Sequence, residues 1–286
     1  KIEKIIFQDN LDGINNTKWD VTQMQDGSIW GWYTTDATTG NYTVYIGSYI
    51  IMNGNVNSSY LFSYIGYDPT CKVTGNTGAI DGTEKPLIEN LDLLHVDGVK
   101  IMTWMFYGFG YSTMKSFDLG NNFDTCNATS MISMFCNTGY KSMTSLNLGN
   151  KFDTSNVKDM ASMFYSTGYK AMTSLDLGDK FDTNNVIRMD NMFSSTGQNA
   201  MTSLNIGDKF DTSNVNNMTS MFYSTGYTAM TSLDLGNKFN TSAVTDMSHM
   251  FNGTGYTAMT SLDLGDKFDT SNVTNMSKMF KETGYT

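Results

Sequence analysis

Side chains able to do chemistry are few in this chain, and they do not converge. The two histidines, His95 and His249, fall at different phases of an internal repeat, so no nucleophile, base and orienting acid assemble around either. Both read as surface or boundary residues. No glycine-rich phosphate loop links a strand to a helix, and no Cys/His spacing matches zinc. Cys126 and Cys136 are separated by an expected helix about 15 Å long, too far apart for a disulfide. Cys126 takes a helix-start position whose free N–H groups can lower a thiol pKa, but a serine-sized substitution is the preferred reading. Spacing assigns no pairing to Cys71, Cys126 or Cys136. The 22 methionines raise a copper-binding reading. All but Met24, Met52, Met102 and Met105 recur at three fixed apolar positions, where flexible thioethers fill a core. No metal and no cofactor are expected.

The element that must position everything else is the segment Met143–Ala171, rewritten from Met114, Met143, Met172, Met201, Met230 and Met259 at a period of 29 residues. A fixed period of this size signals stacked repeats. Within it, Met143, Leu146 and Leu148 alternate as a short strand closed by Gly149. Val157, Met160, Met163 and Phe164 share one helical face, which predicts a short helix with Ser155 and Asn156 at its start and Gly168 at its end. Phe152 should turn inward, and Tyr169 should pack where the chain re-enters the next strand. One copy cannot offset its own ordering cost, so neighbouring strands should pair in parallel at about 4.8 Å with helices opposite. The opening L-x-x-L-x-L spacing leads to an α/β repeat solenoid: a leucine-rich-repeat-like, right-handed array with a parallel sheet on one face and short helices on the other.

The outward side of that sheet carries the regular polar columns. One is Asp118, Asn147, Asp176, Asn205, Asp234 and Asp263; beside it run Lys151, Lys180, Lys209, Lys238 and Lys267. Asp153, Asp182, Asp211 and Asp269 form a third column. Carboxylates one strand apart repel by only about 1 kcal/mol in water, and the Asn and Lys residues relieve most of that. A solvated, charge-balanced face and a calcium-binding face both fit, but the spacing matches no standard calcium loop.

FDTSNV followed by M-x-x-MF, at Phe152–Phe164 and again at Phe268–Phe280, resembles the BspA-like surface-protein repeats of bacteria. These are also described as a mycoplasma and lactobacillus surface repeat of unknown function. The resemblance covers roughly Leu91 to the end. It implies an extracellular, cell-anchored protein that adheres to host or neighbouring cells. Cys126-Asn127-Ala128 in place of Ser-Asn-Val, Ala243 in place of Asn, and the first copy HVDGVKIMTWMF depart from the pattern.

Residues 1–84 lack the repeat and form a β-rich N-terminal cap in this reading, with residues 85–286 as one degenerate and six regular repeats. SIWGWY, YTVYIGSYII and YLFSYI are its strands, separated by Gly-, Asn- and Thr-rich turns. Similar W-x-WY and Y-x-x-YIGS stretches precede the repeats in BspA-like proteins. Thr70–Lys85 is the expected surface loop. Net charge is −10, and Arg188 is the lone arginine, so nucleic acid is not an expected partner. No apolar run reaches membrane-spanning length. The chain reads as an excised fragment without a signal peptide. The parent protein is expected to continue, and the last turn, with Leu262, Leu264 and Phe268 near its end, should be open to end-to-end self-association.

Three functions follow as expectations. The first is a non-enzymatic cell-surface recognition module that binds an extracellular protein or glycan through the polar sheet face. The second is a structural stalk, favoured by the near-identity of the copies, while Arg188, Gln198 and His249 argue for position-specific contacts. The third is a glycan-active enzyme using Trp30, Trp32 and nearby Asp residues.

Overall fold

The computed structural model describes residues 2–12, 14, 18–22, 24–66 and 87–285. The expected boundary at 84/85, the loop over 70–85 and Cys71 lie outside the described residues. Aromatic and β-branched runs form β1 (Ile2–Gln8), β2 (Lys18–Asp20), β3 (Trp30–Thr35) and β4 (Tyr42–Gly47). Two short strands follow, β5 (Met52–Asn53) and β6 (Ile88–Glu89). The five-stranded sheet has the order β2-β3-β4-β1-β6, with β1 parallel to both β4 and β6. Trp32 is buried beneath it and stacks on Tyr45 with ring centroids 5.4 Å apart. β5 pairs in parallel with β7 (Leu94–His95).

The repeats contribute β8 (Ser116–Asp118), β9 (Ser145–Asn147), β10 (Ser174–Asp176), β11 (Ser203–Asn205), β12 (Ser232–Asp234) and β13 (Ser261–Asp263). Paired strands run parallel and in register, Leu175 opposite Leu204 and Leu233 opposite Leu262. The central leucine or phenylalanine faces the core and the flanking residues face solvent.

The other half of each copy overturns the expected α/β leucine-rich-repeat-like array. Among the described residues there is no α-helix, only a 3-10 turn at Leu91–Leu93. Where a helix was expected, the chain forms a ribbon of consecutive turns. Met163, Tyr165 and Thr167 donate their N–H groups to Met160, Ser162 and Phe164, three residues back. The alternate donors, Met160, Ser162, Phe164 and Ser166, bond instead to the carbonyls of Arg188, Asp190, Met192 and Ser194 on the next turn. Ser162, Ser166 and Gly168 hold left-handed φ of 56°, 54° and 53°, which lets the ribbon turn repeatedly without winding into a helix.

The sequence pattern misleads because a ribbon of turns and a helix can bury the same M-x-x-MF residues. Ser, Asn, Thr and Gly are weak helix formers, and ten residues are too few for an independent helix. Pairing half the donors with a neighbour satisfies the backbone as fully. Ser155 and Asn156 change role accordingly. The Ser155 N–H is held by the Asp153 carboxylate at 2.9 Å, and the Asn156 amide donates to the Cys126 carbonyl of the preceding turn at 2.7 Å. Gly168 supplies the expected left-handed residue but closes a ribbon. A Cβ there would lie 2.4 Å from the Cβ of Met172.

The ribbons form one unbroken series of parallel bridges, Asn57–Ile101–Ser130–Asp159–Arg188–Asn217–Asp246–Asn275. Its first member lies in the N-terminal stretch. Ser58, Tyr60, Phe62 and Tyr64 donate to Ile101, Thr103, Met105 and Tyr107, and Tyr60 and Tyr64 have φ of 61° and 60°. The stretch expected to lack the repeat therefore contains a ribbon of its own.

Columns of identical residues fill the interior. Phe106, Phe135, Phe164, Phe193, Phe222 and Phe251 are fully buried. Adjacent rings stack nearly parallel, 5.5 Å apart for Phe135 and Phe164 and 5.6 Å for Phe164 and Phe193. Phe152 is buried in a second column, its ring 6.4 Å from that of Phe181. Buried threonines tie the turns together: the Thr167, Thr196 and Thr225 hydroxyls donate to the Phe135, Phe164 and Phe193 carbonyls at 2.7, 2.6 and 2.7 Å. The last described turn is more open, with Phe280 43% exposed against 0% for Phe251.

Candidate functional site

The Asp118 and Lys151 columns are exposed and Asp153, Asp182 and Asp211 are half-buried, and the carboxylates and amides are engaged locally. Asp118, Asn147 and Asp176 accept the N–H of Gly120, Gly149 and Gly178 at 2.8, 3.0 and 3.0 Å. Asn205, Asp234 and Asp263 do the same for Gly207, Gly236 and Gly265 at 3.0, 2.8 and 2.9 Å. Asp and Asn interchange along this column because the turn needs one side-chain oxygen, whatever its charge. Asp153, Asp211 and Asp269 hold Ser155, Ser213 and Ser271 in the same manner. The side chains of Lys151, Lys180, Lys209, Lys238 and Lys267 stand exposed beside them.

A shallow recess near the first turn is lined by His95, Asp97, Asn122, Asp124 and Lys151. Among the described residues no group of three or more His, Cys, Asp or Glu side chains is placed to hold a metal ion. Cys126 and Cys136 are free thiols. The alternative of a lowered Cys126 pKa fails, since no helix starts there. A hydrogen bond to the Asp124 carboxylate, aided by burial, raises it. Burial pushes the Cys136 thiol up to about 12.

The aromatic and acidic residues of the N-terminal sheet are also engaged in structure. Trp32 is buried, and Trp30 is covered by the Lys18 ammonium 4.4 Å from its centroid. Asp20, Asp26 and Asp36 all have lowered pKa values. The first two are held down chiefly by side-chain hydrogen bonds from Thr22 and Ser28, the third by the backbone N–H of Thr39.

Position-specific chemistry gathers on the ribbons instead. One column runs Trp104, Ser133, Ser162, Asn191, Ser220, His249, all at positive φ, with Ser133 buried and the others half-exposed. The next runs Tyr107, Cys136, Tyr165, Ser194, Tyr223, Asn252. Tyr165 and Tyr223 are exposed, Tyr107 is half-buried with the Tyr64 ring 5.1 Å from its own, and Cys136, Ser194 and Asn252 are buried between them. Four residues further on, Tyr111, Tyr140 and Tyr169 form a stacked ladder at 4.8 and 4.5 Å, and Tyr227 and Tyr256 continue it at 4.6 Å beyond Gln198. Desolvation raises the Tyr107 and Tyr140 phenols to about 12. His249 sits with its ring 6.4 Å from that of Tyr223 and a nitrogen 3.0 Å from the Asn252 amide. Arg188 spans two turns, bonding Asp159 at 3.2 Å and Asp190 at 3.0 Å. Sequence reasoning missed this surface because an assumed helix gave the wrong phase for the outward residues. The signal that could have found it is the alternation of Tyr with small residues from copy to copy.

A stack of near-identical turns with an invariant core and a varied outer ribbon defines a repeat protein. The chain belongs to a family described as a Mycoplasma protein of unknown function, DUF285, whose model matches it three times in overlapping register, over residues 78–201, 139–255 and 198–285. No curated protein and no solved structure matches the chain.

Proposed function

We propose that this chain is a non-catalytic, extracellular recognition module of the BspA-like kind, anchored to the cell in its full-length form and binding an extracellular protein or glycan. The observation that supports this reading is where the copies differ. Interior columns are invariant phenylalanine, methionine and threonine, whereas the ribbon column Trp104, Ser133, Ser162, Asn191, Ser220, His249 changes at almost every turn. A spacer needs only the interior; a surface that meets a ligand needs different side chains at different turns.

A binding screen against matrix proteins and glycans, using the whole chain, tests the reading. Saturable binding to a member of either class, abolished by substitutions on the ribbon or sheet face that leave thermal stability unchanged, is the expected result. A folded chain that binds nothing on the screen would favour the stalk.

A further inference from the structure

We propose that the stacked tyrosine ladder beside the ribbons is a site of oxidative cross-linking, in which Tyr140 and Tyr169, and likewise Tyr227 and Tyr256, are joined carbon to carbon as dityrosine. The oxidant is hydrogen peroxide acting through a haem peroxidase. This modification goes beyond the recognition reading and does not depend on it.

The repeat itself brings the reacting atoms together. The Tyr111 and Tyr140 rings lie 4.8 Å apart with planes 6° from parallel, those of Tyr140 and Tyr169 4.5 Å apart at 10°, and those of Tyr227 and Tyr256 4.6 Å apart at 3°. Equivalent residues of adjacent copies carry these rings, so each ring is nearly a translated image of the next. Every carbon ortho to a hydroxyl therefore lies about as far from its counterpart as the two centroids do. The same translation aligns the hydroxyls: Tyr140 and Tyr169 share a side-chain hydrogen bond, and so do Tyr227 and Tyr256. All five rings are half-buried, which holds them in place and still leaves them at the surface. The phenylalanine column stacks at a similar spacing but has no phenol to oxidise. Gln198 interrupts the ladder and leaves Tyr169 and Tyr227 two turns, or about 9.6 Å, apart.

Each phenol of a pair gives one electron and one proton to the oxidant and becomes a phenoxyl radical, whose unpaired electron is shared with the carbons ortho to oxygen. One ortho carbon from each ring then forms the new C–C bond. The hydrogen that each of these carbons carried moves through water to the oxygen of its own ring, which restores both aromatic systems. Two phenols and one hydrogen peroxide give one dityrosine and two waters; the tyrosines are oxidised and the peroxide is reduced. Every such bond closes a loop of one 29-residue copy and ties neighbouring turns together, constraining the unfolded chain as a disulfide would.

Treating the dilute whole chain with a haem peroxidase and hydrogen peroxide, then mapping peptides joined with the loss of two hydrogens, tests the proposal. Links Tyr111–Tyr140, Tyr140–Tyr169 and Tyr227–Tyr256 are expected within single chains. They should exceed any link through the more exposed Tyr165 or Tyr223 by roughly tenfold or more, because rings already in place react as an intramolecular pair. A Tyr169–Tyr227 link should be absent. Tyr140→Phe should remove both links of its ladder and keep Tyr227–Tyr256, which also reports that the variant is folded. Gln198→Tyr should add links from position 198 to Tyr169 and Tyr227. Dityrosine that is absent, forms only between chains or follows exposure overturns the proposal, and so does a Gln198→Tyr chain with no link from position 198.

Discussion

Replacing Ser162 by glycine and by alanine separates the ribbon from a helix by the sign of one free-energy difference. Ser162 has φ of 56° and is partly exposed. Its column also accepts Trp104, His249 and Lys278 at φ of 55°, 59° and 57°, so its Cβ has room and the effect is one of backbone conformation. A left-handed conformation costs an L-residue about 1–2 kcal/mol that glycine avoids. Glycine gives back about 0.5–1 kcal/mol through the greater freedom of its unfolded chain. Ser162→Gly should therefore be more stable than Ser162→Ala by roughly 0.5–1 kcal/mol. In a right-handed helix the order reverses, alanine exceeding glycine by about 1 kcal/mol. At roughly 2–4 °C per kcal/mol for a chain of this class, paired thermal melts by circular dichroism resolve the difference. An alanine variant that melts above the glycine variant would refute the ribbon.

Further outcomes follow from the ladders and columns. Ala243→Asn should add about 1 kcal/mol, because Asn214 and Asn272 on either side donate to the preceding turn at 2.7 Å and residue 243 is a gap in that series; a urea midpoint that does not rise counts against it. Asp176→Asn should leave the melting temperature unchanged and Asp176→Ala should lower stability by about 1 kcal/mol, since the Gly178 N–H needs an acceptor and not a charge. Melts in chelator and in calcium should coincide, and a calcium-dependent rise would turn the Asp column into a metal site. Tyr107 and Tyr140 have folded-state pKa values raised to about 12 from 10, so they contribute stability that is complete below pH 10 and lost as pH rises toward 12. Phenolate absorbance followed with pH should show a component that ionises near pH 12, and its absence would count against the burial of these two phenols.

Much of the architecture was legible from period and composition. The 29-residue step, the Ser-Leu-Asp strand facing its leucine inward, and the burial of Phe152, Met160, Met163 and Phe164 all follow from apolar spacing. Secondary structure in the second half of the repeat did not, because Met160, Met163 and Phe164 can be buried by a helical face or by a ribbon of turns. Deciding between them depends on where the N–H of Phe164 goes, and its partner is Met192, outside the copy being read. The Asp and Lys columns were visible as columns, but their turn-forming role needed the glycine N–H two residues on. The alternation of Tyr107, Tyr165 and Tyr223 with Cys136, Ser194 and Asn252 stayed hidden because it appears only when alternate copies are compared.

The division of labour among backbone donors in the ribbon has a consequence for how the chain becomes ordered. Every second N–H has its partner 28 residues away in sequence, from Phe164 to Met192 and from Met192's neighbour Phe193 to Met221. A lone ribbon is thus half-saturated and has no reason to persist, unlike a helix, which saturates itself. Order must accrete on a surface that is already ordered, as molecules add to the end of a one-dimensional crystal. The rate-limiting event is then making the first pair of turns, after which each new copy finds its template waiting.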